Sequence, residues 1–156
     1  MKEKQGEHPF GDAGQLIALG LFLIIWAADS FFLKFSTALA AYVPLYLRLI
    51  IMLAVFAVSL YLLKTSHKVV ADDHRPAGVI SDGVFKYLRH PLYMSVILFY
   101  LALIASTLSV ISFVLWVAIF IFYNYIAGYE EKLMEMKFRE EYAAYKMKTG
   151  KWLPKI

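Results

Sequence analysis

The sequence predicts an all-α, polytopic membrane protein with about four transmembrane helices, the last two forming a helical hairpin, followed by a C-terminal amphipathic helix. Three observations lead there. Of 156 residues, 61% are hydrophobic and 18% charged, against the roughly 25% charge of a soluble domain. Apolar runs long enough to cross a bilayer recur along the chain, and lysine and arginine sort to one end of those runs.

The N-terminal stretch "MKEKQGEHPFGDAGQ" carries mixed charge. The apolar run after it is too long for a signal-peptide core and lacks a small-residue cleavage site, so it is expected to remain as a helix. A hydrocarbon core of roughly 30 Å needs about 20 helical residues. Gly14 to Leu33, Leu45 to Leu63 and Leu108 to Ala127 supply them. The run from Leu92 to Ala105 is shorter and spans only if the residues before it extend the helix. Pro91 suits that role, because a proline at the first helical position lacks only an N–H that would be unsatisfied anyway. The break "STLS" at Ser106 to Ser109 then makes a tight hairpin of the last two runs.

Lys2 and Lys4 precede the first run, Lys64, Lys68, Arg75, Lys86 and Arg89 follow the second, and seven more basic residues from Lys132 to Lys155 follow the fourth. The positive-inside rule places all of them, and both termini, in the cytoplasm. The net charge of +4 shows no basic stripe interleaved with aromatics, so nucleic acid is not an expected partner, whereas anionic membrane lipids are. The absence of cysteine excludes disulfides, thiolate nucleophiles and cysteine-ligated zinc. His67, Asp72, Asp73 and His74 lack a regular ligand spacing, and no metal is expected. Tyr42, Tyr46, Trp26 and Trp116 read as interface belts and packing.

Polar material gathers in two segments on the same side, the loop from Lys64 to His90 and the tail from Tyr129 to Ile156. In the loop, Asp82-Gly83 reads as a turn just before the membrane. In the tail, Met134, Phe138, Tyr142 and Tyr145 fall at helical spacing, which predicts an amphipathic helix lying on the bilayer through its aromatic face and stopping at Gly150. Glu130 and Glu131 fit that picture less well. Adjacent carboxylates where a helix leaves the membrane repel each other and gain nothing from the helix dipole, so a cationic partner is expected nearby. Arg89 and His90 sit at the positive end of the third helix, a natural seat for a carboxylate or phosphate. On the residues alone a second reading stands equally, with Arg89 on a lipid phosphate and His90 capping the helix. Asp29, costly if it faced lipid, either lines an acceptor cavity or lies near enough the far interface to be hydrated, and the second is favoured.

"GVFKYLRHPLYMS" (Gly83 to Ser95) and "EEKLMEMKFREEYAAYKMKTGKWLP" (Glu130 to Pro154) together resemble the membrane-embedded methyltransferases of the isoprenylcysteine carboxyl methyltransferase and phospholipid methyltransferase superfamily. The likeness covers Gly78 to Pro154, in order and in spacing. It departs at Val84, where proline is common, and at Ser95 and Arg139, where glycine is usual. The resemblance implies one domain over 1–156, with two N-terminal helices in 1–63 and a cofactor-binding core in 64–156. It also implies S-adenosyl-L-methionine as cofactor and a lipophilic acceptor entering from the bilayer.

By carry-over, Tyr87, Arg89, His90 and Tyr93 would meet the cofactor from one side and Glu130 and Glu131 from the other, with Arg89 and Glu131 nearest the reaction. Arg89 would take the methionine carboxylate, one glutamate the ribose or amino group, and Tyr142, Tyr145 and Trp152 the adenine. A prenylcysteine carboxylate is the foremost acceptor, with a phospholipid amine or a hydrophobic thiol as alternatives. Two other classes compete. A membrane reductase of the steroid 5α-reductase type would have to hold the extra phosphates of NADPH, for which the short loops offer no further basic cluster or glycine-rich turn. In a non-enzymatic membrane subunit, the same motifs would be headgroup anchors.

Overall fold

The computed structural model describes residues 11–70 and 78–155. Asp72, Asp73 and His74 lie outside them, as does Arg75. Among the described residues four α-helices follow one another: α1 (Gly11–Ala27), α2 (Leu45–Val70), α3 (Pro91–Thr107) and α4 (Val110–Lys148). Three helical stretches, Ala13–Leu33, Leu45–Val70 and Val110–Lys148, are long and apolar enough to cross a membrane, and Pro91–Thr107 is a shorter apolar helix. Pro91 occupies the first turn of α3, as its chemistry requires.

α3 lies at the centre, packed along α2 on one side and against α4 on the other, while α1 leans on α4. Lipid tails are as apolar as leucine, so close packing and interhelical hydrogen bonds hold such a bundle together. Phe22 of α1, Ile97, Tyr100 and Ile104 of α3, and Ile119 and Tyr123 of α4 form the buried centre. Gly14 lets α1 approach closely, since a Cβ there would press on the Phe122 ring. Ser59 ties α2 to α3 by donating to the Ser95 carbonyl at 2.7 Å. The large apolar side chains of α1 and α2 that remain exposed, such as Leu16, Ile24, Ile50 and Leu53, face where lipid would be.

The hairpin end is knitted by Asp29. α1 continues into a π-helical turn over Ala28–Leu33, in which Asp29 is only 3% exposed. Its carboxylate accepts from the Ser36 N–H at 3.0 Å, from the Ser36 hydroxyl at 2.5 Å and from the Ser109 hydroxyl at 2.6 Å. Ser109 caps α4 by accepting from the Ser112 N–H, while Ser36 takes the Val110 and Ile111 N–H groups through its carbonyl and hydroxyl. Three of the orphan donors at the start of α4 are thereby satisfied where water is scarce. Asp29 is thus held by hydroxyl and backbone donors at the hairpin end, away from the tail. From Ser109 to Glu131 the helix measures about 33 Å.

At the opposite end, α4 does not run straight. Arg139 has φ 43° and ψ −112°, and the two limbs of the helix meet there. Lys146 contacts Glu135 at 2.6 Å, although a straight helix would hold their backbones about 17 Å apart. The limb after Arg139 thus folds back along the limb before it. This corrects the expectation of a helix lying on the bilayer. Tyr142 is 4% exposed and Tyr145 donates to the Phe85 carbonyl at 2.8 Å, so the aromatic side chains face the protein.

Candidate active site

Two segments about sixty residues apart converge at the fold-back end. The first is set by a 3₁₀ turn over Gly83–Lys86, entered at Gly83 with φ 57°, a left-handed conformation that glycine adopts without cost. Val84, Phe85 and Leu88 bury themselves with Leu62 of α2, which fixes the chain just before Arg89 and His90. The second is the tail after α4. Gly150 donates to the Tyr87 carbonyl at 3.1 Å and accepts from the Arg89 N–H at 2.9 Å, a short parallel bridge. Any Cβ at Gly150 would overlap the Leu153 carbonyl oxygen, so the expected stop is also a sterically required glycine.

Glu131 is the hub. Its Oε1 accepts from Arg89 Nε at 2.8 Å and contacts His90 Nε2 at 3.2 Å, and its Oε2 lies 3.6 Å from Lys146. The cationic partner expected for the paired carboxylates is present. Glu130 Oε1 accepts from the Tyr93 hydroxyl at 2.5 Å, and its Oε2 stands 3.8 Å from His90 Nδ1. The His90 imidazole thus lies between the two carboxylates, stacked at 5.6 Å and nearly parallel on Tyr93. Burial pushes the His90 pKa below its ordinary value, partly offset by the Glu131 hydrogen bond and charge. A neutral imidazole has one N–H, and the shorter contact assigns it to Nε2, facing Glu131.

Arg89 is 8% exposed in its side chain and turned inward. Besides Glu131, its Nη1 donates to the Thr149 carbonyl at 2.5 Å and to the Lys146 carbonyl at 3.3 Å. These are orphan acceptors at the end of α4, and a guanidinium suits them in charge and in geometry. Tyr142 and Tyr145 meet at a tilt, 5.8 Å between ring centres, behind this pair. Tyr87 contributes backbone to the bridge while its side chain is 60% exposed. Trp152 reaches the site, 5.9 Å from the His90 ring.

Sequence reasoning missed Asn124, whose Oδ1 accepts from Trp152 Nε1 at 3.0 Å and whose carbonyl accepts from Lys151 at 3.1 Å. A lone amide in the fourth apolar run was the available signal, since intramembrane polar residues generally have a task. Lys146 was hidden among other tail lysines. Asp29 stands apart from all of these residues.

The family model described as phospholipid methyltransferase matches residues 43–141, well over half of the chain. The match includes Arg89, His90, Tyr93, Glu130 and Glu131 and stops before Tyr142, Tyr145 and Trp152. Comparison with curated proteins gives no match. The chain belongs to the phospholipid methyltransferase family, within the superfamily of membrane methyltransferases that its two motifs resemble.

Proposed function

We propose that the protein uses S-adenosyl-L-methionine to methylate a lipophilic acceptor at the corner formed by His90, Tyr93, Glu130 and Glu131. The observation that carries this reading is the convergence of the two motifs, with Tyr93 on Glu130 and His90 on Glu131, inside the matched region.

The donor set fits a zwitterionic aromatic cofactor. Carboxylate oxygens suit an ammonium and ribose hydroxyls, the open turn of α3 suits a carboxylate, and the partly exposed Trp152 ring suits a base. When bound, the cofactor supplies an electrophilic methyl on a sulfonium. Glu130, held by Tyr93, and the Leu92 and Tyr93 N–H groups at the start of α3 would orient it. Arg89 acts at one remove, as a positioning residue that holds Glu131 and the tail. Alignment and exclusion of water carry most of the work in such a displacement, and no protein nucleophile is needed. Both termini lie on the cytoplasmic side in this reading, with the acceptor arriving through the bilayer.

The test is calorimetric titration of detergent-purified protein with S-adenosylmethionine and, in parallel, NADPH. Saturable binding of the methyl donor alone is expected, followed by a screen of prenylcysteine, phospholipid amine and thiol acceptors. Binding of NADPH alone would replace this reading with the reductase. Binding of neither by folded protein would return the motifs to headgroup anchoring.

A further inference from the structure

Six aromatic rings stand in single file from the first turn of α4 to the candidate site. Phe113 and Trp116 stack at 5.6 Å, Trp116 and Phe120 at 5.9 Å, and Phe120 meets Trp152 at 5.4 Å. Trp152 meets His90 at 5.9 Å, and His90 stacks on Tyr93. Both indoles are pinned. Trp116 Nε1 donates to the Ile97 carbonyl of α3 at 3.0 Å, and Trp152 Nε1 donates to Asn124 Oδ1. Pinning by the N–H fixes the ring planes, which packing of loose aromatics would not require. The outer end remains open, with Phe113 46% exposed and Trp116, Phe120 and Trp152 half-buried. The file extends on the order of 20 Å, a large part of a hydrocarbon core of roughly 30 Å.

We infer that this file is the subsite for the acceptor's hydrocarbon tail, and that the acceptor has one chain rather than two. This rests on the proposed methyl transfer. Continuity argues for the occupant, since the file runs into the stacked His90 and Tyr93 rings that meet both carboxylates. Its width argues for the number of chains, because a row one ring wide along the α3–α4 seam covers one tail and leaves a second in bulk lipid. Asn124 then has a task, as the positioning residue that holds Trp152 between tail and site.

Photolabelling of the detergent-purified protein tests this without any cofactor. The probe is a single-chain dodecyl alcohol with a diazirine on its chain, mapped by peptide mass spectrometry, with dodecanol or dioleoyl phosphatidylethanolamine as competitor at equal chain concentration. Labelling is expected on the 113–120 segment and at Trp152, removed by dodecanol and spared by the diacyl lipid. Phe120→Leu, which keeps an apolar side chain but breaks the file, should weaken competition about fivefold to tenfold. Phe113→Leu, at the exposed outer end, should weaken it less. Labelling spread evenly over α1 and α2, equal competition by the diacyl lipid, or unchanged competition in both folded variants would overturn the inference. Because no donor is present, these outcomes are independent of S-adenosylmethionine binding. Failure of that binding alone would count against the methyl-transfer reading.

Discussion

Replacing Arg89 by lysine keeps a cation beside Glu131 and removes the fork. In the structure one guanidinium serves three acceptors on two segments, Glu131 through Nε and the Thr149 and Lys146 carbonyls through Nη1. A lysine ammonium is a single point on a flexible stem and cannot reach the carboxylate and the end of α4 together. One good charge-assisted bond, to Thr149, is lost outright, and the longer one to Lys146 adds less. At about 1.5–3 kcal/mol for a hydrogen bond to a charged group, the expected destabilisation is about 2–4 kcal/mol. Alanine would strip a buried pair of one member and cost about 3–5 kcal/mol. The Lys146 contact to Glu131 compensates little, since that lysine is 40% exposed and screened. The assays are thermal unfolding in detergent and limited trypsin digestion, which should cut the tail at Lys146, Lys148 and Lys151 faster in Arg89→Lys. Unchanged unfolding and unchanged cleavage, with loss of methyl-donor affinity, would refute the clamp and make Arg89 a direct ligand.

Arg139→Gly should stabilise the protein. An L-residue at φ 43°, ψ −112° stores about 1–3 kcal/mol, glycine returns about 0.5–1 kcal/mol as unfolded-state entropy, and the exposed Arg139 side chain forfeits little. A net gain of about 1 kcal/mol should raise the unfolding temperature, and a fall would show the bend to be relaxed. Asp29→Asn should cost about 1–3 kcal/mol, as charge-assisted bonds from Ser36 and Ser109 become neutral ones, and leave methyl-donor affinity untouched. Altered affinity would contradict its separation from the site. His90, with its pKa held below 6.5 by burial, binds fewer protons folded than unfolded in the window beneath that value. Its contribution is complete above 6.5 and is lost as pH falls through that window, by at most about 1.4 kcal/mol per pH unit. His90→Gln should flatten that part of the stability profile, and identical slopes would count against a buried neutral imidazole.

Much of this arrangement could be read from residue order. Apolar length marked the membrane runs, proline chemistry marked the start of α3, and "STLS" marked the hairpin. The unfavourable pairing of Glu130 with Glu131 pointed to the cations they meet. The fold-back at Arg139 was not legible, because residues on both sides keep a helical period and one inverted φ leaves no trace in periodicity. Only the glycine usual at that position in similar proteins hinted at it. The inward partners of Arg89 were hidden for a related reason. A guanidinium at a helix start looks the same whether it awaits an anion or reaches carbonyls about sixty residues away. Asp29 likewise found its partner Ser109 across eighty residues, at a distance that hydropathy cannot sense.

The account turns on the carboxylate corner being the methyl donor's seat. The most direct measurement is the affinity of S-adenosylmethionine for the protein and for its Glu130→Gln variant, each shown to be folded. Loss of one charge-assisted contact predicts at least about tenfold weaker binding by the variant. Equal affinity in the two proteins would contradict the account and leave Glu130 a structural partner of Tyr93 and His90.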